Sequence, residues 1–301
     1  MNAGHAEHIQ HAKHDVHAKH DVRVLGRMRR RRRLATAARL VAALAVTLVF
    51  LFPVYWLFMT AFKSPHEIFA NPPVWIPSAV HWDNFHGLAD GGDLRSIANS
   101  LIVASVSTVL AMALGSMAAY SLARFRTGGE GLAIWIISLR MIPPIALAFP
   151  LFMIFAEIGL VDTFTGLILL YVAFNLPYVV WMMRGFIEDI PRELEAAAML
   201  DGCSRWQVLR KVVFPMARAG MFATAIFALV YAFNEFAFAF IMTRTEVVTF
   251  PVQITHHMAP MSTFWARIGA MSILGCLPVL FLIIVMNRYL VRGLSGGALK
   301  G

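Results

Sequence analysis

Six stretches of this chain stay apolar for twenty residues or more, and this constrains the fold more than any other feature of the sequence. Crossing a bilayer as a helix takes about 20 such residues. Four stretches carry no charge: 40–62, 99–123, 163–183 and 268–287. Two more carry one each, Arg140 within 132–156 and Glu235 within 219–243. Lipid leaves backbone polar groups no water to bond, so only helices or a closed barrel can span it. The stretches are too long and too evenly apolar for barrel strands. The expectation is an all-α polytopic membrane protein with six transmembrane helices. Composition agrees: charged residues make up 14% of the chain, against about 25% in soluble domains, and mean hydropathy is +0.67. These values exclude a soluble enzyme, a disordered chain and a nucleic-acid-binding domain.

An even number of spans puts both termini on one side. Placing them in the cytoplasm puts 21 of the 26 Lys and Arg residues inside and leaves only Lys63, Arg95, Arg244 and Arg267 outside. That asymmetry obeys the positive-inside rule and predicts a multi-pass membrane protein with both termini cytoplasmic. It also accounts for the net charge of +9 without a nucleic-acid partner. The first apolar stretch starts late and is too long for a signal h-region, so it reads as an anchor. Cys203 and Cys276 fall in a loop and a span, and no disulfide is expected.

Residues 1–33 read as a disordered cytoplasmic tail rich in His and Arg. His5, His8, His11, His14, His17 and His20 recur every third residue, and HAKHDV occurs twice. Histidine tracts can bind zinc, nickel or copper. A period of three walks around a helix and lines no single face, so no preformed metal site is expected. Arg29 to Arg33 stand just before a span, where they suit the inner membrane surface. In the outer segment 63–98, Pro65, Pro72, Pro73 and Pro77 forbid a long helix. Trp75 and Trp82 fit an interfacial belt or a contact with an external protein.

The most informative segment is the loop 184–218, which is expected on the cytoplasmic side. Its core reads IPRELEAAAMLDGCSRWQVLRKVVFP over 190–215. Pro191 suits a first helical turn, and Glu193 and Glu195 favour the same end. Ala196, Ala197 and Ala198 are strong helix formers with little bulk. Gly202 allows the positive φ that ends the helix and turns the chain. Ser204 and Gln207 form a capping-box pattern that starts a second helix, with Trp206, Leu209 and Val213 on one face. Pro215 is expected to separate that helix from the next span. From these residues alone, the helix–turn–helix is either a docking element for a soluble partner or an amphipathic linker.

This segment resembles the EAA loop of ATP-binding-cassette importer permeases, whose pattern is E-A-A, three residues, Gly, nine residues, I-x-L-P. Gly202 and Pro215 match its spacing, with Val212 and Phe214 at the two apolar positions. Ala196 stands where the pattern has Glu, and Glu195 precedes it. RMIPPIALAFPLF (140–152), FNLPYVVWMMRGFIEDIPRELE (174–195), FNEFAFAFIMT (233–243) and RYLVRGLSGGALKG (288–301) resemble the maltose-type carbohydrate branch, specifically the shorter second permease. The likeness covers roughly 34–301 and implies a type I permease fold in the cytoplasmic (inner) membrane of a prokaryote.

For function, the resemblance implies a permease subunit that moves a sugar or polyol by alternating access. Its expected partners are a second permease, two ATPase subunits, an external sugar-binding protein and membrane lipid. ATP and Mg would lie in the partner ATPase. This chain has no P-loop, no catalytic constellation and no cofactor of its own. Glu195, Ala196, Ala197, Ala198, Asp201, Gly202 and Arg205 are the expected ATPase-docking residues. Charges inside spans are costly and often functional, so Arg140, Asn234 and Glu235 are candidates for the substrate pathway. Pro143 and Pro144 should bend the third span, and 115–119 (GSMAA) should allow close helix packing. The alternatives are a permease for another solute class (polyamine, peptide, phosphonate) or a stand-alone secondary transporter.

Overall fold

The computed structural model describes residues 36–90, 92–258 and 264–297. The histidine-rich tail and the expectation of disorder over 1–33 lie outside them. The described residues form helices and no β-strand. The chain divides into two units at Met59. The first supplies most of α1 (Thr36–Ala61), which is apolar on every side. The second begins with two short helices, α2 (Pro65–Ile68) and α3 (Asp83–Asp90). Prolines and a capping box between Ser64 and Glu67 keep α2 to about one turn.

Long helices follow: α4 (Asp93–Phe125), the pair α5 (Gly129–Ser138) and α6 (Pro144–Glu157), and α7 (Phe164–Glu188). The loop holds α8 (Arg192–Leu200). Beyond it, α9 (Arg205–Val208), a π-helical turn (Leu209–Val213) and α10 (Phe214–Phe233) form one continuous helix. The chain ends in α11 (Ala237–Met242), α12 (Phe250–His256) and α13 (Trp265–Gly297).

Five helices are long and apolar enough to span a membrane, and α5 with α6 makes a sixth only as a pair bent by 89°. The six expected spans thus correspond to five unbroken helices and one broken pair. The break falls where the prolines stand. Ile142 is extended (ψ 121°) because a residue before proline is pushed out of the α region. Pro144 then opens α6, where its missing N–H costs nothing.

The centre of the bundle is α4 against α7. Gly115 faces Val179 so closely that a Cβ there would lie 2.6 Å from Val179 Cγ1. Ser116 and Ala119 are buried on the same side, so the small-residue patch does allow close packing. One apolar core gathers Val103, Leu167, Leu170, Phe238 and Met271. A second, nearer the loop, gathers Val179, Met183, Ile187, Val208, Leu209 and Val213.

The fifth span departs from expectation at both ends. The helix that would make it runs over 205–233, not 219–243, and Pro215 does not separate it from the loop helix. A proline ring crowds the carbonyl four residues back. The wide π turn relieves this: the Phe214 N–H reaches Leu209 O, five residues away, within a continuous helix. The turn also shifts the buried face. Val208, Leu209 and Val213 go inward, while Trp206, expected on that face, is 58% exposed. Apolar run length missed the early start because Arg210, Lys211 and Arg218 sit on the first turns, where a helix end can meet water or headgroups.

Candidate functional site

The loop folds as the local sequence directs. Gly202 takes φ +85°. The Cys203 N–H reaches Ala198 O and the Gly202 N–H reaches Met199 O, both at 3.0 Å, which is the Schellman closure of a helix end. Ser204 and Gln207 complete the capping box that starts α9. Together α8 and α9 form a hairpin whose second arm is the beginning of a membrane-spanning helix.

The hairpin is anchored on one side and bare on the other. Glu195, at the centre of α8, is buried and turned toward α4. Its carboxylate accepts from Arg124 Nε at 2.5 Å and from Tyr120 Oη at 2.9 Å. Arg124 also donates to Ile190 O, and Arg192 to Ala123 O. The Arg205 guanidinium lies 4.7 Å from the Phe125 ring. Of the expected docking residues, Glu195 and Arg205 therefore fix the hairpin to the end of α4. Ala196, Ala197, Asp201 and Gly202 are exposed, and Ala198 is half-buried. Leu200 stands at the tip, 90% exposed. Tyr120 and Arg124 were not among the sequence candidates, because nothing local marks a partner 71 positions from Glu195.

A second polar group lies along the spans. Arg140 follows α5, just before the break, and donates to Phe174 O at 3.2 Å. Its guanidinium lies 4.2 Å from the Tyr231 ring centroid and 5.2 Å from that of Tyr178. Among the described residues it has no carboxylate within ion-pair distance. Asn234 and Glu235, expected inside a continuous span, stand instead at the break between α10 and α11. Asn234 is exposed and donates back to Val230 O. The Glu235 carboxylate accepts from the Phe238 and Ala239 N–H groups, supplying the first amides of α11 with partners. Around it Phe233 and Phe238 are buried, while Phe236 and Phe240 are exposed.

The end of α4 far from the hairpin carries a third network. Asp93 is fully buried and accepts from Gln253 Nε2 and His257 Nε2 at 2.8 Å and from Arg267 Nε at 3.3 Å. Nearby, burial pushes the Asp162 carboxyl up. Four backbone N–H groups, from Arg244 to Val247, outweigh that and bring it down to about 2. Among the described residues no group of His, Cys, Asp and Glu is placed to hold a metal ion.

Comparison with known proteins matches residues 111–296 to the family described as binding-protein-dependent transport system inner membrane component. The chain is 37% identical over 258 residues to the trehalose transport system permease protein SugB of Mycobacterium tuberculosis, covering 83% of this chain and 93% of that one. It is 31% identical over 262 residues to the diacetylchitobiose uptake system permease protein DasC of Streptomyces coelicolor, covering 86% and 95%. It is 31% identical over 269 residues to the trehalose/maltose transport system permease protein MalG of Thermococcus litoralis, covering 86% and 95%. Among solved structures, a bacterial ATP-binding-cassette transporter that imports the acidic polysaccharide alginate contains a chain of the same fold. That match has a TM-score of 0.69 at 21% identity, covering 85% of this chain and 96% of that one.

Proposed function

Because this chain belongs to the family of binding-protein-dependent transport inner membrane components and is an importer permease, we propose that it carries a sugar or polyol by alternating access, driven by a separate ATPase that docks on the 190–213 hairpin. The observation that carries this reading is a rigidly held hairpin with a bare apolar tip. Leu200 and Trp206 are far more exposed than isolated apolar side chains need be, and such a patch marks a surface that a partner covers. Glu195, Arg205 and Arg192 tie the hairpin to the end of α4. A push on the tip therefore reaches the spans as a rigid-body movement rather than a local bend.

In the assembly so proposed, ATP and Mg sit in two ATPase subunits, a second permease completes the pathway, and an external protein delivers the solute. Both termini and the hairpin lie in the cytoplasm. The names of several relatives point to sugars as cargo. Arg140 keeps donors beyond its one carbonyl bond and lies between two tyrosine faces, and Asn234 is exposed beside them, so these two line the pathway. Glu235 serves it indirectly, by holding the break between α10 and α11.

Gly202→Asp tests the docking assignment. A Cβ at 202 meets nothing within 4 Å, so only φ and the added charge oppose it. In the assembled transporter this variant should abolish substrate-stimulated ATP hydrolysis while all subunits still co-purify. Gly202→Asn, which tolerates positive φ, should retain most of it. Normal stimulation in the aspartate variant would overturn the assignment.

A further inference from the structure

A cavity of about 530 Å³ opens at the foot of the hairpin, where α4 ends and α8 begins. Four guanidinium groups line it: Arg124, Arg126, Arg184 and Arg192. Two are committed to carboxylates, Arg124 to Glu195 at 2.5 Å and Arg184 to Glu188 at 2.7 Å. Arg192 gives one nitrogen to Ala123 O at 3.2 Å. Arg126 has no side-chain hydrogen bond or ion pair among the described residues. Glu130 is the one further carboxylate in the wall, so positive charge remains in excess.

The backbone at Arg126 sharpens the case. It has φ +50° at the end of α4, a conformation that favours glycine or asparagine. An arginine there accepts strain that a glycine would avoid. The cavity also lies away from the proposed docking surface. Arg192 and Glu195 are three residues apart and share the face of α8 that meets α4, whereas Ala196, Ala197 and Leu200 face out. Leu122 and Ala123 supply an apolar floor.

We propose that this cavity binds a phosphate-bearing anion, held by Arg126 and Arg192. Planar guanidinium forks match phosphate oxygens in pairs. A lipid headgroup and a free phosphate share that chemistry. The site requires nothing of the transported solute, so it stands or falls separately from the proposed function.

The assembled transporter, purified in a phosphatidylcholine-like detergent, is titrated by calorimetry with dihexanoyl phosphatidylglycerol, inorganic phosphate and dihexanoyl phosphatidylcholine. Loss of one charge-assisted contact in Arg126→Gly should weaken the anionic probe by roughly tenfold. The melting temperature should not fall, because glycine relieves φ at 126. Glu130→Gln removes the opposing charge and should tighten binding. Binding of phosphatidylglycerol alone identifies a headgroup site; binding of inorganic phosphate identifies a free-anion site. Unchanged affinity for both anions in Arg126→Gly, or phosphatidylcholine binding as tightly as the anionic probes, overturns the proposal.

Discussion

Deleting the carboxylate of Glu195 strands a guanidinium. The Arg124 and Glu195 side chains are 5% and 8% exposed, and a buried pair that loses one member costs about 3–5 kcal/mol. Glu195→Ala should therefore lower the melting temperature of the purified complex sharply. Adding Arg124→Leu should recover much of the loss. If the two single losses simply add, the pair is not a clamp. Asp162 invites a pH test. Its carboxyl titrates at about 2 in the fold and near 3.9 in an unfolded chain, so folding favours the ionised form. The resulting stability is fully present above about pH 4 and is lost as pH falls through about 2. Hydrogen exchange at the 244–247 amides should accelerate across that window relative to Asp162→Asn, which cannot titrate. Parallel pH profiles for the two proteins would rule the carboxylate out.

Among the elements, the α4–α7 contact depends on the missing side chain at Gly115. A methyl group there meets Val179 side-chain carbons at 2.6 and 3.0 Å, and overpacking of this kind costs about 1–3 kcal/mol. Gly115→Ala should destabilise the permease, and Gly115→Ala with Val179→Ala should restore most of it in a thermal melt. No rescue by the second change would place the strain elsewhere. The π turn at 209–213 and the break at 234–236 act at the two ends of one long helix. The first lets a proline sit in a continuous rod. The second ends the rod and starts α11, whose first amides are satisfied by Glu235. The rod links the hairpin directly to the neighbourhood of Arg140, through Tyr231.

For the molecule in its membrane, sidedness is the decisive expectation. In a Cys203→Ser, Cys276→Ser background, Leu200→Cys should react with a membrane-impermeant maleimide in inside-out vesicles and resist it in sealed right-side-out ones. The reverse pattern would put the hairpin outside and remove its proposed partner. The sequence alone determined the all-α class, the helices of membrane-spanning length and the turn at Gly202 with its Ser204 cap. Each follows from local physics: the bilayer demands uninterrupted apolar length, positive φ favours glycine, and a helix start needs a nearby oxygen. Only the tertiary structure decided the rest. It turned Glu195 inward onto Arg124, sent Trp206 outward, moved the fifth span to 205–233 and drew four arginines around one cavity. These depend on residues far apart in the chain reaching one place, and on a single extra residue in a π turn that rotates a whole helix face. Neither leaves a periodic mark that a linear reading detects.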